Sequence, residues 1–208
     1  MQEARGPMPA KKKSVNLLVS LFPLPVTLVS CATAKGKANV TAASFVGVAA
    51  LRPRILSLSL LHSSYSCRII LATGKFGLNV PDGSLLWQVD QAGMISGRER
   101  KNKVADLGLT LFPGPQTGVP LVQECPLNVE CVVRERLSFT TSETFLGEAV
   151  NVLADEHLID DARGRIDFGK LELFVFNQGE YWSLFERIGR YGFSRQRASD
   201  GGKPPEKD

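Results

Sequence analysis

The sequence lacks the familiar signatures of chemistry carried out by side chains. It contains no G-x-G-x-x-G, no P-loop and no G-x-S-x-G, which removes the usual motifs for a dinucleotide fold, a nucleotide-phosphate loop and a serine hydrolase elbow. Histidine is scarce: His62 and His157 are the whole supply, and neither stands in a context that would activate a nucleophile. The four cysteines, Cys31, Cys67, Cys125 and Cys131, include no C-x-x-C pair, which argues against a structural zinc site. On one continuous strand Cys125 and Cys131 would share a face about 20 Å apart and could not bridge. They read as four free, mostly buried thiols, the pattern of a reducing compartment and hence of a cytoplasmic protein. The acidic pairs Asp160 and Asp161, and Glu124 and Glu130, are expected in solvent-facing or strand-edge roles. No catalytic side chain and no metal ligand is therefore expected.

Concentrated charge is missing too. The net charge is +4, and its positive clusters (Lys11–Lys13, Arg98–Lys103, Arg187–Arg197) do not line one aromatic-bearing face, so no nucleic-acid partner is expected. Nor is there an apolar run able to span a bilayer. Val15–Val29 is interrupted by Asn16, Pro23 and Pro25 and is too short. Behind Lys11–Lys13 this run also imitates a secretory leader, with Leu28-Val29-Ser30-Cys31 resembling a lipoprotein cleavage box. The competing reading makes Pro25–Ala32 a first core strand.

What is present is an ordinary globular composition, 43% hydrophobic and 22% charged over 208 residues. It fits one domain, taken as 14–193 between a flexible stretch 1–13 and a disordered tail 194–208. Within it, Val15–Phe22 is a lead-in segment, and Pro25–Thr33 is β-branched and apolar, a buried strand. A turn at Ala34–Lys37 leads to a second strand, Ala38–Ala50, broken at Arg52-Pro53. Ile55–Leu61 alternates as a third strand with Ser57 and Ser59 on one face. The loop His62-Ser63-Ser64-Tyr65-Ser66 opens a helix over Cys67–Ala72, which Ser63 or Ser64 would cap and Gly74 would end. Such a loop is either a plain cap or an anion site. Phe76–Val80 is a strand and Ser84–Ala92 a helix. A Gly- and charge-rich loop at Gly93–Asn102, a short helix at Lys103–Leu107 and a loop at Phe112–Pro120 come next. Pro126–Leu137 and Thr144–Ala154 form a long hairpin, His157–Asp167 a surface turn, and Leu171–Phe176 and Tyr181–Phe185 short strands about Gln178-Gly179. The chain is therefore mainly β (α+β), a closed or nearly closed antiparallel barrel with short peripheral helices.

Its most unusual stretch is Lys35–Phe45. After a turn at Gly36 the strand carries Asn39, Thr41, Ala42, Ala43 and Ser44, where strands normally carry branched or aromatic side chains. Small residues let something flat approach the backbone, and Asn, Thr and Ser can hydrogen-bond it. A barrel corner that needs small residues explains the same pattern.

The order of motifs resembles a known family. Pro23-Leu24-Pro25-Val26 is followed by Gly36–Ser44, Arg52-Pro53, Tyr65-Ser66, Thr73–Phe76 with Asn79-Val80-Pro81, and Ser96-Gly97-Arg98 with Lys103. Glu124-Cys125-Pro126, Glu130-Cys131, Phe145–Glu148 and Gly164–Asp167 complete the series. The chain is similar to the flavin reductase-like, FMN-binding split-barrel family, in its flavoredoxin-type branch, over about residues 14–190.

That resemblance implies a split β-barrel homodimer with one FMN per subunit. It implies that Asn39, Val40, Thr41, Ala42 and Ala43 lie along the isoalloxazine ring and that Ser44 extends the contact. Ser59, His62, Ser63, Ser64, Tyr65 and Ser66 lie near the ribityl chain and phosphate. Lys103, with Arg98 in the loop before it, gives a positive contact to the flavin. It makes Pro25–Thr33 the first barrel strand. The implied activity is that of a flavin reductase-like oxidoreductase, taking hydride or electrons from NAD(P)H or a redox protein and passing them to free flavin, a metal chelate or a redox partner. An FMN carrier without nicotinamide activity, and a barrel that has lost flavin, are the alternatives. One departure stands out: family members often place Arg or Lys before the Tyr-Ser/Thr pair, where this chain has Leu60, Leu61, His62, Ser63 and Ser64. The phosphate would then lean on His62 or Arg68.

Overall fold

The computed structural model describes residues 12–192 apart from 18, 20, 163, 185 and 190. The tail expected to be disordered and residues 1–11 lie outside the described residues. Lys12 and Lys13 are exposed and without regular structure.

The apolar run after Pro23 forms two strands, β1 (Leu24–Pro25) and β2 (Thr27–Ala32). Next come β3 (Ala38–Ala43), β4 (Val46–Leu51) and β5 (Arg54–Leu61). Helix α1 (Tyr65–Thr73) follows, with β6 (Lys75–Val80), α2 (Leu86–Met94) and the one-turn α3 (Lys103–Asp106). The second half supplies β7 (Leu111–Pro113), β8 (Pro120–Val122), β9 (Leu127–Ser138) and β10 (Ser142–Ala154). It ends in the short pairs β11 (Ile159–Asp160) with β12 (Arg165–Ile166), and β13 (Phe174–Asn177) with β14 (Glu180–Ser183).

Seven strands make one antiparallel sheet in the order β3-β2-β6-β9-β10-β5-β4. The expected single strand Ala38–Ala50 is in fact two strands at opposite edges of this sheet. Ser44 and Phe45 carry the chain from one edge to the other, and the Ser59 amide donates to the Phe45 carbonyl at 2.9 Å across the corner. Small residues suit that corner, because the backbone must leave one ladder and join another within two residues. The region expected as a loop at Phe112–Pro120 also differs: its ends pair as β7 and β8.

β2 is buried on both faces, which is why it reads as a continuous apolar run rather than an alternation. Val29 and Cys31 join Leu58, Phe76, Phe145 and the buried residues of α1 in one core, whereas Leu28 joins Val40, Val89 and Val122 in a second core under α2. Phe145 and Phe76 are essentially inaccessible. Burying a ring of this size stabilises the fold enough that Phe→Ala costs about 3–5 kcal/mol. Beside it Gly147 is obligatory, since a Cβ there would lie 2.6 Å from Phe76 Cζ.

Between the cores runs a polar seam. Asn79 Nδ2 donates to the Leu28 carbonyl (2.7 Å) and to Ser30 Oγ (2.9 Å). Its Oδ1 accepts from the Val122 amide and from Asn128 Nδ2, both at 2.9 Å. A buried amide with both ends satisfied fixes register, and losing one partner would leave the other unpaired at about 1–3 kcal/mol. This seam pins β8 across β2, β6 and β9.

Glu130, expected at a strand edge or in solvent, is fully buried. Its carboxylate accepts from the amides of Gln116 and Thr117, from Thr117 Oγ1 (2.7 Å) and from Asn151 Nδ2 (2.9 Å). Burial alone would raise its pKa, but these donors outweigh burial and hold it below the usual carboxylate value. The carboxylate organises the turn joining β7 and β8, and Gly114 leaves it room, since a Cβ there would lie 2.5 Å from Glu130 Cδ. All four cysteines are buried and unbridged, and burial pushes Cys31 up to about 11 and Cys131 to about 12. They are packing residues, not nucleophiles.

Candidate functional site

The sheet corner opens a cavity of about 510 Å³, within the range of small-molecule and cofactor sites. Its floor is β3 and the corner after it, with Asn39, Thr41, Ala42, Ala43 and Ser44 all lining it. Ser59 of β5 and the loop Ser63-Ser64-Tyr65 form one wall. The end of α2 (Gly93, Met94) and the loop after it, Ile95 to Gly97, form another wall, and Lys103 lines the cavity as well.

Alternation along β3 explains the floor. Asn39, Thr41 and Ala43 share one face. Asn39 is almost fully buried and its Nδ2 donates to Ser66 Oγ at 2.8 Å, joining β3 to the first turn of α1. Its Oδ1 accepts no hydrogen bond among the described residues and abuts Gly97, where an added Cβ would overlap it. Thr41 Oγ1 reaches the Ala92 carbonyl at 3.4 Å. Ser59 Oγ and Thr144 Oγ1 are 2.7 Å apart across β5 and β10.

Lys103 is 3% exposed. Its Nζ donates to the Ala92 carbonyl at 2.7 Å, which leaves two ammonium protons for the cavity. Burial lowers its pKa to about 8, with the neighbouring Cys31 thiol opposing slightly. At neutral pH it is still mainly a cation. Among the described residues, no aspartate or glutamate lines the cavity. The result is a slot with a small-residue floor, hydroxyl and amide groups, and the buried positive charge of Lys103. Such a slot can receive a flat, electron-rich or anionic molecule.

Ser64 is the N-cap residue of α1, in extended conformation, but its side chain makes no cap hydrogen bond. The Ser64 hydroxyl thus does not satisfy the first amides of the helix. Gly74 ends the helix in the left-handed conformation as expected.

Four of the expected contacts do not line the cavity. The Val40 side chain belongs to the core under α2, on the other face of β3. Ser66 is buried beneath Asn39, whose amide it accepts. His62 turns outward, its Nε2 2.8 Å from the Phe139 carbonyl oxygen. Arg98 is exposed beside the cavity and donates Nη2 to the Ser63 carbonyl at 3.1 Å.

Other lining residues were not anticipated: Leu24, Phe45, Met94, Ser142 and Phe176 among them. Leu24 and Phe176 are register partners between β1 and β13, and no local pattern signals a pairing so far apart in sequence. Met94 carries a weak signal: it ends α2 just before the loop that the motif Ser96-Gly97-Arg98 marks.

Residues 19–181 match the family described as flavin reductase like domain. An uncharacterized protein of Archaeoglobus fulgidus is 33% identical over 142 residues, covering 68% of this chain and 78% of the relative. Among solved structures, the flavoredoxin of Desulfovibrio vulgaris (Miyazaki F) is 29% identical with a TM-score of 0.81, covering 89% of this chain and all of the other. A flavoredoxin from Methanosarcina acetivorans is 28% identical with a TM-score of 0.82, covering 91% of this chain and all of the other.

Proposed function

This chain belongs to the flavin reductase-like domain family, and from that premise we propose that it is an FMN-dependent oxidoreductase whose cofactor occupies the slot above β3. The observation that carries the reading is the floor itself, Asn39 to Ser44, with buried Lys103 beside it and no carboxylate among the described residues that line it. The two flavoredoxins, similar over nearly the whole chain, support FMN as the ligand.

FMN, when bound, supplies the electron-accepting chemistry, so the protein needs no nucleophile and no acid–base pair. The residues of the slot bind and orient. Thr41, Ala43 and Ser44 leave room for a planar ring and offer hydroxyls and backbone groups to its polar edge. Asn39, held by Ser66, presents its free Oδ1. Lys103 holds a positive charge where a flavin's polar edge gains electron density, and its burial makes that charge strong because little water screens it. Ser59, Ser63 and Ser64 provide hydroxyls for the ribityl chain and phosphate.

The electron donor in this reading is NADH or NADPH, docking transiently on the open side, and the acceptor is free flavin, a metal chelate or a redox protein. A second reading, an FMN carrier served by a protein donor and lacking nicotinamide activity, is favoured by the likeness to flavoredoxins. The functional unit is a homodimer of one domain spanning 14–193. Phe45 and Leu61 line the slot and are exposed, as is Phe139 just past the end of β9, and a second copy would cover them.

The deciding measurement is an absorbance spectrum of the purified chain with FMN, before and after anaerobic NADH or NADPH. Flavin bands that bleach with a nicotinamide alone establish the reductase. Bands that persist until a redox protein is added establish the carrier. A colourless chain that fails to take up FMN rejects both.

A further inference from the structure

The loop that opens α1 at the rim of the slot carries no cation of its own, and His62 points away from it toward the Phe139 carbonyl. Two cations nevertheless reach this edge from other parts of the chain. Arg98 donates to the Ser63 carbonyl at 3.1 Å. Lys37, in the turn between β2 and β3, places its Nζ 5.5 Å from the centroid of the Tyr65 ring. Both are exposed, and among the described residues neither has a carboxylate partner.

Their placement is built rather than incidental. Gly97 is buried, and its backbone packs so tightly on β3 and α1 that an added Cβ would overlap the Asn39 amide and lie 3.1 Å from Tyr65 Cδ1. That contact delivers Arg98, the next residue, to the Ser63 carbonyl. One guanidinium N–H is used there, and four remain in a planar fork suited to a phosphate. Lys37 over the Tyr65 face is held by attraction to the ring, on a side chain that itself lines the slot. At the same edge, Ser63 and Ser64 line the cavity, and Ser64 begins a nine-residue helix without a side-chain cap hydrogen bond.

We propose that Lys37 and Arg98, brought from two separate loops to the Ser63–Tyr65 edge, grip the phosphate of the flavin and give the chain its preference for a phosphorylated flavin over riboflavin. The inference rests on the flavin reading above and adds to it the source of the phosphate charge. It also accounts for a loop without Arg or Lys: the charge is supplied from those two loops rather than from within this one.

The test is titration of the full apoprotein with FMN and with riboflavin, followed by flavin fluorescence, for the wild type, Lys37→Met, Arg98→Met, the double variant and Arg98→Lys. The expected result is FMN binding about tenfold or more tighter than riboflavin. Each single Met variant should weaken FMN binding by about three- to tenfold and leave riboflavin within about twofold. The double variant should nearly abolish the preference, Arg98→Lys should retain part of it, and added salt should erode it in the wild type. Equal affinity of the wild type for both flavins overturns the proposal while leaving the flavin reading standing. So do variants that lose both flavins together or neither. A wild type that binds neither flavin removes the flavin reading and this proposal with it.

Discussion

Lys103 and Ala92 are joined by a 2.7 Å hydrogen bond from the ammonium to the carbonyl oxygen, and this bond ties α3 to the last turn of α2 beside the slot. A buried ammonium with one backbone acceptor is a costly arrangement for an empty protein. The cost makes sense if the charge has a second partner in the slot.

That cost has a measurable sign. The pKa of Lys103 falls from 10.5 to about 8 on folding, so below pH 8 the folded chain must hold a proton it binds poorly. Between pH 8 and 10.5 the unfolded chain binds more protons than the folded one, so apoprotein stability rises with pH across that window. Lys103→Met should stabilise the apoprotein at pH 7 by about 1–2 kcal/mol, less than the full pKa shift implies because the Ala92 carbonyl loses its donor. The gain should vanish near pH 11. The same variant should bind FMN about tenfold more weakly at pH 7. Wild-type affinity should fall as pH rises above 8, while Lys103→Arg, always charged, should show no such fall. Denaturation midpoints and FMN titrations across pH check both. A stability difference that ignores pH would show that the ammonium is not the cause.

Gly97→Ala tests whether the loop after α2 is seated as tightly as the geometry states. The new methyl would overlap the Asn39 amide, so Asn39 must shift and its 2.8 Å bond to Ser66 must lengthen or break. The expected loss is about 1–3 kcal/mol of stability, together with weaker binding of both flavins, since floor and phosphate edge move together. Asn39→Ala combined with Gly97→Ala should recover much of that stability by removing the clash. If Gly97→Ala is neutral in stability and binding, the loop is looser than described.

How much of this was legible in the sequence follows from where the information sits. β2, α1, β6 and the β9–β10 hairpin carry local patterns, an apolar run, a Gly terminator and alternation, so they were readable within a residue or two. The break at Ser44-Phe45 was not. It exists because the sheet closes, and a chain leaving one edge for the other looks in sequence like one continuous strand. The site divides in the same way. The small floor from Asn39 to Ser44 was visible because it violates strand composition. Leu24 and Phe176, by contrast, meet through a long-range pairing. Glu130 was misread because a lone Glu in a strand says nothing of the loop that wraps it; its amide donors arrive from Gln116 and Thr117.

Glu130 makes the acid limb of stability predictable. Its folded pKa lies below its ordinary value, so its contribution is fully present above the unfolded pKa and lost as pH falls through the lower folded value. Glu130→Gln keeps the shape but turns one acceptor oxygen into a donor group facing the Thr117 amide. It should destabilise the chain at pH 7 by about 1–3 kcal/mol and cost less at a pH below the ordinary carboxylate value. FMN affinity of the folded fraction should be unchanged, since Glu130 does not line the slot. Urea denaturation at the two pH values settles it; equal destabilisation at both would mean that the carboxylate's charge is not what holds the β7–β8 turn.

The outer rim of the slot bears on assembly. Leu137, Thr144 and Ser59 are register partners across β9, β10 and β5, so a pocket-lining hydroxyl, its hydrogen-bond partner and a half-exposed leucine sit in one row. Leu61 and Phe139, 58% and 57% exposed, stand at the end of the same strands. An apolar rim contiguous with a cofactor slot is what a second copy would cover. Light scattering of the purified chain should therefore give twice the chain mass. Phe139→Glu combined with Leu61→Glu should shift it toward the monomer, because two like charges would face their symmetry mates across an isologous interface. Both positions are already solvated in the single chain, so fold content by circular dichroism should hold. If the slot is completed by the second copy, FMN affinity should drop with the dimer, by about tenfold or more. A monomeric wild type that binds FMN fully would show that the rim serves another surface and that one chain is sufficient for the site.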